Sequence, residues 1–172
     1  MTIDTTVGNP LPAIIEGVER TLRNEPAKAV EVFAAHGTGT GRVSSALTTR
    51  SFTLAADEPP PLGEDEAPNP VELALAGLAS CQIVTYRVWA QKLGIELTDV
   101  DIAVDGDLDF RGFFGLDDDI RPGFRDIRVE VRLRGPETPE RYAELQRVVD
   151  QHCPMLDLLS HATPVTTTVK VG

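Results

Sequence analysis

The feature that most constrains the fold is a long uncharged run in the middle of the chain. Between residues 71 and 84 the only charged residue is Glu72. Asn69 is a favoured N-cap, Pro70 suits the first helical position, and Glu72 can complete a capping box. Gly94 then provides a stop signal. The pattern predicts a helix over residues 69–93 that is buried on nearly every side, either at the centre of a sheet or at a subunit interface.

Strand patterns flank this helix on both sides. Val100, Ile102 and Val104 alternate with acidic residues at positions 99, 101 and 105, and residues 127–134 alternate apolar with charged side chains. These patterns predict two half-buried strands. Before the helix, residues 30–34 and 42–55 also have strand patterns, with His36–Gly41 expected to form a turn. A last strand is expected at residues 165–171.

Thr138 and Pro139 predict the start of a second main helix, which ends near Cys153 because Pro154 follows. Pro154 can begin a short further helix. The chain is therefore expected to be α+β, an antiparallel sheet with two main helices. Residues 1–26, with a short amphipathic helix, are expected to be an N-terminal extension, and residues 27–172 a single domain.

Composition excludes several classes of function. The 172 residues are 41% hydrophobic and 25% charged, as in ordinary globular proteins, and the net charge of −11 argues against nucleic-acid partners. The acidic runs at residues 57–66 and 117–119 are expected to be solvated loops. No apolar run approaches the roughly 20 residues of a membrane span, and no secretory signal is evident. We therefore expect no membrane partner and a cytoplasmic location.

The two cysteines are the candidate chemical groups. Cys81 lies in the middle of the long helix, near small residues at Ala74 and Gly77 that would allow a close approach by another helix or a substrate. Such a cysteine can equally be a small buried hydrophobe. Cys153 occupies the expected N-cap of the short helix after Pro154, a place that favours a thiolate.

A cysteine on each of two packed helices is the minimum arrangement for a thiolate that attacks a peroxide and a thiol that resolves the product. The sequence leaves two alternative kinds of site. A zinc site from Cys81, His152, Cys153 and His161 lacks a tight ligand pair. A Cys–His hydrolase would need a histidine beside Cys81.

The segment Asn69-Pro-Val-Glu-Leu-Ala-Leu-Ala-Gly-Leu-Ala-Ser-Cys81 resembles the signature helix of the OsmC/Ohr family of thiol-dependent peroxidases. Further matches follow in order: Asp57-Glu-Pro with Leu62-Gly63, Pro122-Gly-Phe124, and His152-Cys-Pro-Met-Leu-Asp157 with Thr163-Pro-Val165. They extend over residues 28–170 and resemble the OsmC-like branch.

This resemblance implies an antioxidant enzyme of the oxidative stress response, with an OsmC-like fold and an intertwined homodimer built around the long central helices. It implies that Cys81 attacks an organic hydroperoxide and that Cys153 resolves it. The expected reductant is a dithiol such as a lipoyl group, and neither a metal nor another cofactor is expected.

The sequence departs from the family pattern beside the signature helix. Val71 stands where the organic-hydroperoxide branch has Glu, and Glu72 comes one residue later, turned by about 100° on a helix. Glu72 can therefore be a helix cap rather than a site residue. Arg42 best matches the arginine that supports the thiolate, with Arg50 as the alternative. Besides the peroxidase, a non-catalytic small-molecule-binding dimer and a Cys81 hydrolase stay open.

Overall fold

The computed structural model describes residues 10–172. Its elements are, in chain order, α1 (Leu11–Asn24), a short 3-10 helix (Pro26–Ala29), β1 (His36–Gly39), β2 (Ser45–Thr49), β3 (Phe52–Ala56), α2 (Pro70–Leu93), β4 (Asp99–Leu108), α3 (Phe110–Phe113), β5 (Phe124–Arg134), α4 (Pro139–His152) and α5 (Pro154–Ser160). The α+β class with antiparallel strands and a long helix is confirmed. The chain divides into two compact units, with the boundary inside α2 between Ala76 and Gly77.

The first unit contains a three-stranded antiparallel sheet in the order β1-β2-β3. Its first strand is not where the sequence analysis expected it. The segment His36–Gly39, predicted as part of a turn, pairs with β2, whereas residues 30–34 form no strand. Val32 and Phe33 are 93% and 89% exposed. Alternating apolar residues form a strand only where another strand can take their backbone hydrogen bonds, and the described chain offers none there.

The loop between β3 and α2 also differs from the solvated loop that was expected. Asp57 is only 3% exposed, and its Oδ2 accepts hydrogen bonds from the backbone N–H groups of Glu64 (3.1 Å) and Glu66 (3.3 Å). Gly63 closes this loop, because a Cβ there would overlap the Glu58 carbonyl oxygen. The acidic run is therefore a folded loop with one buried carboxylate at its centre.

Helix α2 begins and ends as its sequence predicts. The Asn69 Oδ1 accepts the Val71 N–H (2.8 Å), and the Glu72 Oε2 accepts the Asn69 N–H (2.9 Å). Gly94, with φ of 61°, ends the helix in a left-handed conformation that suits glycine.

The burial of α2 is one-sided, which corrects the expectation of burial all round. Its buried side chains are Leu78, Gln82, Thr85, Tyr86 and Ala90. By length and by its mean hydropathy of 1.2, α2 could also span a membrane, which the sequence analysis did not expect. Tyr86 and Ala90 instead belong to the hydrophobic core of the second unit. The exposed side of α2 includes Val84, which is 59% exposed.

The second unit contains the clearest predicted strands. β4 and β5 pair antiparallel with Ile102 opposite Val131 and Val104 opposite Val129. Ion pairs such as Arg134 Nη1 to Asp99 Oδ2 (2.8 Å) lie on the wet face. The core beneath consists of Tyr86, Ala90, Ile95, Val100, Leu145 and Val149.

In the C-terminal half, the two predicted helices are confirmed and one predicted strand is wrong. Thr138 caps α4 by accepting the Arg141 N–H (3.4 Å), and Cys153 is the N-cap of α5. The short helix α3 was not predicted. Residues 162–172 have no regular structure and are exposed, so the strand predicted at 165–171 is wrong for this chain taken alone. The cause is the same as at residues 30–34, a strand pattern with no neighbouring strand to pair with.

Candidate functional site

The two cysteines lie together in the second unit. Cys81 is half-buried in the middle of α2, and Cys153 is 2% exposed at the junction of α4 and α5. Both are free thiols, and the Cys153 thiol lies near enough to Cys81 to raise the Cys81 pKa. The structure therefore brings together the two residues that the sequence analysis selected from separate motifs.

Local sequence explains how α5 reaches Cys81. Pro154 removes a backbone donor at the end of α4, so the chain turns at Cys153 and starts a new helix. Gly77, one turn before Cys81, leaves room for Met155, whose Cε lies 3.4 Å from where a Gly77 Cβ would be. Helix α5 therefore contacts α2 at Gly77.

Burial and three neighbouring groups act on the ionisation of Cys81. Burial raises the pKa of the Cys81 thiol above its ordinary value, and the adjacent Cys153 thiol raises it further. The Met155 backbone N–H and the Thr85 hydroxyl lower it. The net pKa shift is upward, so this environment by itself favours the neutral thiol.

The first turn of α5 acts on a different cysteine from the one expected. Cys153 occupies the N-cap, but its side chain makes no capping hydrogen bond. The Met155 N–H of that turn instead approaches the Cys81 sulfur. The sequence predicted that the start of α5 would stabilise a Cys153 thiolate. In the structure, the Met155 N–H is instead available to a Cys81 thiolate.

Several neighbours of the thiol pair were missed by the sequence analysis. Thr85 lies four residues after Cys81 and donates to the Cys81 carbonyl oxygen (2.8 Å), a contact that helical spacing could have indicated. Gln82 is 3% exposed, and in the described part of the chain its Oε1 has no hydrogen-bond partner. Burial, with Asp150 and Cys153 nearby, raises the pKa of Tyr86 to about 12. Tyr86 is therefore a neutral phenol at physiological pH.

The remaining predicted site residues lie in the first unit. Arg42 donates from Nη1 to the carbonyl oxygens of Pro61 (3.4 Å) and Leu62 (3.5 Å), and its Nη2 is 3.3 Å from Glu64 Oε1. Arg50, with φ of 54°, lies in the β2–β3 turn over the ring of Phe52. The Glu72 carboxylate is used as the α2 cap.

The histidines do not complete a site with Cys81. His152 hydrogen bonds through Nδ1 to the Val148 carbonyl oxygen (2.8 Å) and packs on the ring of Trp89. His161 pairs with Asp157. Within residues 10–172 no histidine hydrogen bonds to the Cys81 thiol, and no cluster of three metal-ligating side chains is present. This geometry supports neither the zinc site nor a Cys–His pair.

Fold and site together define an α+β protein with a paired-thiol centre between two helices. The chain belongs to the OsmC-like protein family, whose family model matches residues 63–168. No curated protein of known function matches the sequence closely enough to count as a relative.

Solved structures agree with this assignment. An OsmC-like protein from Mycoplasma pneumoniae is similar with a TM-score of 0.68 at 19% identity, over 76% of this chain and 88% of that one. An organic hydroperoxide resistance protein OsmC from Legionella pneumophila has a TM-score of 0.60 at 25% identity, over 76% and 90%. An organic hydroperoxide resistance protein from Elizabethkingia anophelis has a TM-score of 0.59 at 19% identity, over 74% and 87%.

Proposed function

We propose that this protein is a thiol-dependent peroxidase that reduces organic hydroperoxides. The observation that carries the proposal is the contact between Cys81 and Cys153, the two cysteines of the chain, within an OsmC-like fold. The Legionella pneumophila protein, 25% identical, is named as an organic hydroperoxide resistance protein, which supports the same class of substrate.

In the proposed reaction the Cys81 thiolate attacks the terminal oxygen of the hydroperoxide. The O–O bond breaks, the alkoxide leaves and takes a proton to become the alcohol, and Cys81 becomes a sulfenic acid. The Cys153 thiol, after losing its proton, attacks the Cys81 sulfur and displaces water, which forms a disulfide. A dithiol such as a lipoyl group returns both cysteines to thiols through a mixed disulfide and is itself oxidised.

This reaction requires that Cys81 lose its proton despite its burial. The Met155 N–H supplies one donor to the thiolate. Arg42 is proposed as the positive group that favours the thiolate, with Arg50 as the alternative and Glu72 in a supporting role. Arg42 is preferred because it is the better match to the arginine of the family pattern.

We further propose that the working form is a cytoplasmic homodimer. Strand-like segments at residues 30–34 and 165–171 leave large apolar side chains in solvent, as does the outer side of α2 at Val84. A second copy of the chain can bury such side chains.

The test is steady-state consumption of cumene hydroperoxide with dihydrolipoamide as reductant. Wild type is expected to turn over, and Cys81→Ser and Cys153→Ser are each expected to lose the dihydrolipoamide-dependent activity. Ser80→Ala, an exposed neighbour on α2, is the matched control and is expected to keep it. Unchanged consumption of cumene hydroperoxide by Cys81→Ser would refute the proposal.

A second candidate is a small-molecule-binding dimer without turnover. It is favoured by the raised pKa of Cys81, which disfavours the nucleophile. Wild type without peroxide consumption and with two unreactive thiols would select this candidate over the peroxidase. A hydrolase using Cys81 alone would instead show activity that survives the loss of Cys153.

A further inference from the structure

Three of the four sulfur-containing residues of this chain lie where α2 meets α5. The sequence has two cysteines and two methionines, of which Met1 falls outside the described residues. Cys81 is on α2, Cys153 is the N-cap of α5, and Met155 is in the first turn of α5. The proposed function uses both thiols and leaves the Met155 thioether, which is also open to oxidation, without a role.

Met155 joins the two helices through both its side chain and its backbone. The side chain packs on α2, because its Cε lies 3.4 Å from where a Gly77 Cβ would be. The backbone N–H acts on Cys81, one helical turn after Gly77, and lowers the pKa of the thiol. Cys153 precedes Met155 by two residues. A displacement of Met155 from Gly77 therefore also displaces the segment that carries Cys153.

The position of Met155 allows oxidation of its sulfur but not burial of the product. The side chain is half-buried, so a small hydroperoxide can reach the sulfur from solvent. The product, a sulfoxide, is polar, and its oxygen needs hydrogen-bond donors. Gly77 has no side chain, and its backbone N–H is used inside α2, so it offers no donor. The sulfoxide is therefore more stable in solvent than against Gly77.

We propose that Met155 is a modification site at which a hydroperoxide oxidises the thioether to a sulfoxide, and that this change separates α5 from α2 and weakens the pairing of Cys81 with Cys153. In the oxidation an S–O bond forms as the O–O bond breaks. The sulfur loses two electrons, and the leaving alkoxide takes the proton of the transferred hydroxyl to become an alcohol. The modification goes beyond the proposed peroxidase activity, because it needs a hydroperoxide in solution and no turnover.

The first test follows Met155 by NMR in protein that is isotope-labelled at the methionine methyl groups. The full-length Cys81→Ser/Cys153→Ser variant is treated with tert-butyl hydroperoxide, so that no thiol consumes the oxidant. Before treatment, the Met155 methyl group should show a nuclear Overhauser effect to the Gly77 Hα protons, since the two groups are in contact. After treatment, the Met155 peptide should gain about 16 Da, and this effect should disappear.

Adding Met155→Leu to that variant gives the matched control, because leucine has a similar volume and no sulfur. Treatment should leave the amide spectrum of α2 and α5 unchanged in this control. A Met155 that stays unoxidised while N-acetylmethionine amide in the same solution is consumed would overturn the proposal. So would a sulfoxide methyl group that keeps its contact with Gly77.

The second test measures how readily the two thiols pair in protein that keeps both cysteines. Met155→Gln places a polar oxygen near where the sulfoxide oxygen would be, and Met155→Leu preserves the apolar contact. In a glutathione redox buffer, the ratio of disulfide to dithiol should be lower for Met155→Gln than for Met155→Leu by about tenfold or more, because a disulfide needs close and well-oriented cysteines.

Leu158→Gln is the control for a polar change on α5, since Leu158 is already exposed, and it should keep the wild-type ratio. Equal ratios in Met155→Gln and Met155→Leu would overturn the proposal. If Met155→Gln does not fold, loss or retention of the NMR contact decides. Neither test uses peroxide turnover, so a failed peroxidase assay leaves both tests intact.

Discussion

The thiol of Cys81 is surrounded by groups that act on its ionisation in opposite directions. Burial and the Cys153 thiol raise its pKa, whereas the Met155 N–H and the Thr85 hydroxyl lower it. A thiolate attacks peroxides and alkylating agents far faster than a thiol does. The balance among burial and these three groups therefore sets how much of the thiolate is present at a given pH.

Removing two of these groups singly should shift the pH profile in opposite directions. Cys153→Ala is expected to lower the pH midpoint of Cys81 alkylation relative to wild type, because a group that raises the pKa is lost. Thr85→Val is expected to raise the midpoint, because a group that lowers the pKa is lost. The measurement is the rate of iodoacetamide labelling of the Cys81 peptide as a function of pH, followed by mass spectrometry.

Ser80→Ala is the control for that comparison, since it removes an exposed hydroxyl next to Cys81 and should leave the midpoint in place. Arg42→Gln extends the test to the proposed thiolate partner and should raise the midpoint. Shifts of the same sign in Cys153→Ala and Thr85→Val would contradict the account of the site.

At the scale of elements, the loop between β3 and α2 is held by one buried carboxylate. Hydrogen bonds from backbone N–H groups at Glu58, Glu66, Glu64 and Asp65 hold the pKa of Asp57 below its ordinary value of 3.8. A lowered pKa means that the charged form is stabilised by folding. Its contribution to stability is therefore present at neutral pH and is lost as pH falls through the pKa of the folded protein.

Asp57→Asn is expected to lower the thermal midpoint of unfolding at neutral pH, because the charge on a buried acceptor is removed. The difference from wild type should shrink as the pH falls below 3.8. Asp65→Asn, an exposed carboxylate in the same loop, should change the midpoint little at any pH. A difference in thermal midpoint between Asp57→Asn and wild type that grows as the pH falls would contradict a lowered pKa for Asp57.

Elements whose signals are local were predicted well. Helix α2 follows from Asn69, Pro70 and Gly94, and the β4–β5 pair follows from strict alternation of apolar and charged residues. Elements that depend on pairing with another strand were predicted poorly. His36–Gly39, for example, forms a strand because β2 lies beside it.

In the candidate site, too, features with a local sequence signal were predicted and a contact between elements was not. Cys81 and Cys153 were found from their motifs, and the close approach at Gly77 was expected from small residues on α2. The Met155 N–H was not foreseen as a donor to Cys81, because that contact depends on how α5 packs against α2. Sequence spacing within one helix cannot show such a contact.

For the whole molecule, the amount of exposed apolar surface is the main unexplained property of a single chain. Val30, Val32 and Phe33 are exposed, as are Val165, Val169 and Val171 near the C-terminus. The exposed side of α2 adds Val84. A soluble monomer rarely leaves so many large apolar side chains in solvent, which is why we propose a homodimer.

Val84→Arg is expected to weaken self-association by about tenfold or more, because it replaces an apolar contact with a charge that the interface would have to bury. Light scattering coupled to size-exclusion chromatography should show wild type at twice the chain mass and the variant shifted towards the monomer. Leu116→Arg, at an exposed loop position, is the control and should remain dimeric. A monomeric wild type at all concentrations would rule out the dimer.

The most direct test of the central claim is the intact mass of the reduced protein after one equivalent of cumene hydroperoxide. Wild type should lose about 2 Da as the Cys81–Cys153 disulfide forms. Cys153→Ser should gain about 16 Da as a Cys81 sulfenic acid. Cys81→Ser should keep its mass. An unchanged mass in wild type, or a gain of oxygen in Cys81→Ser, would contradict a peroxidase in which Cys81 attacks and Cys153 resolves.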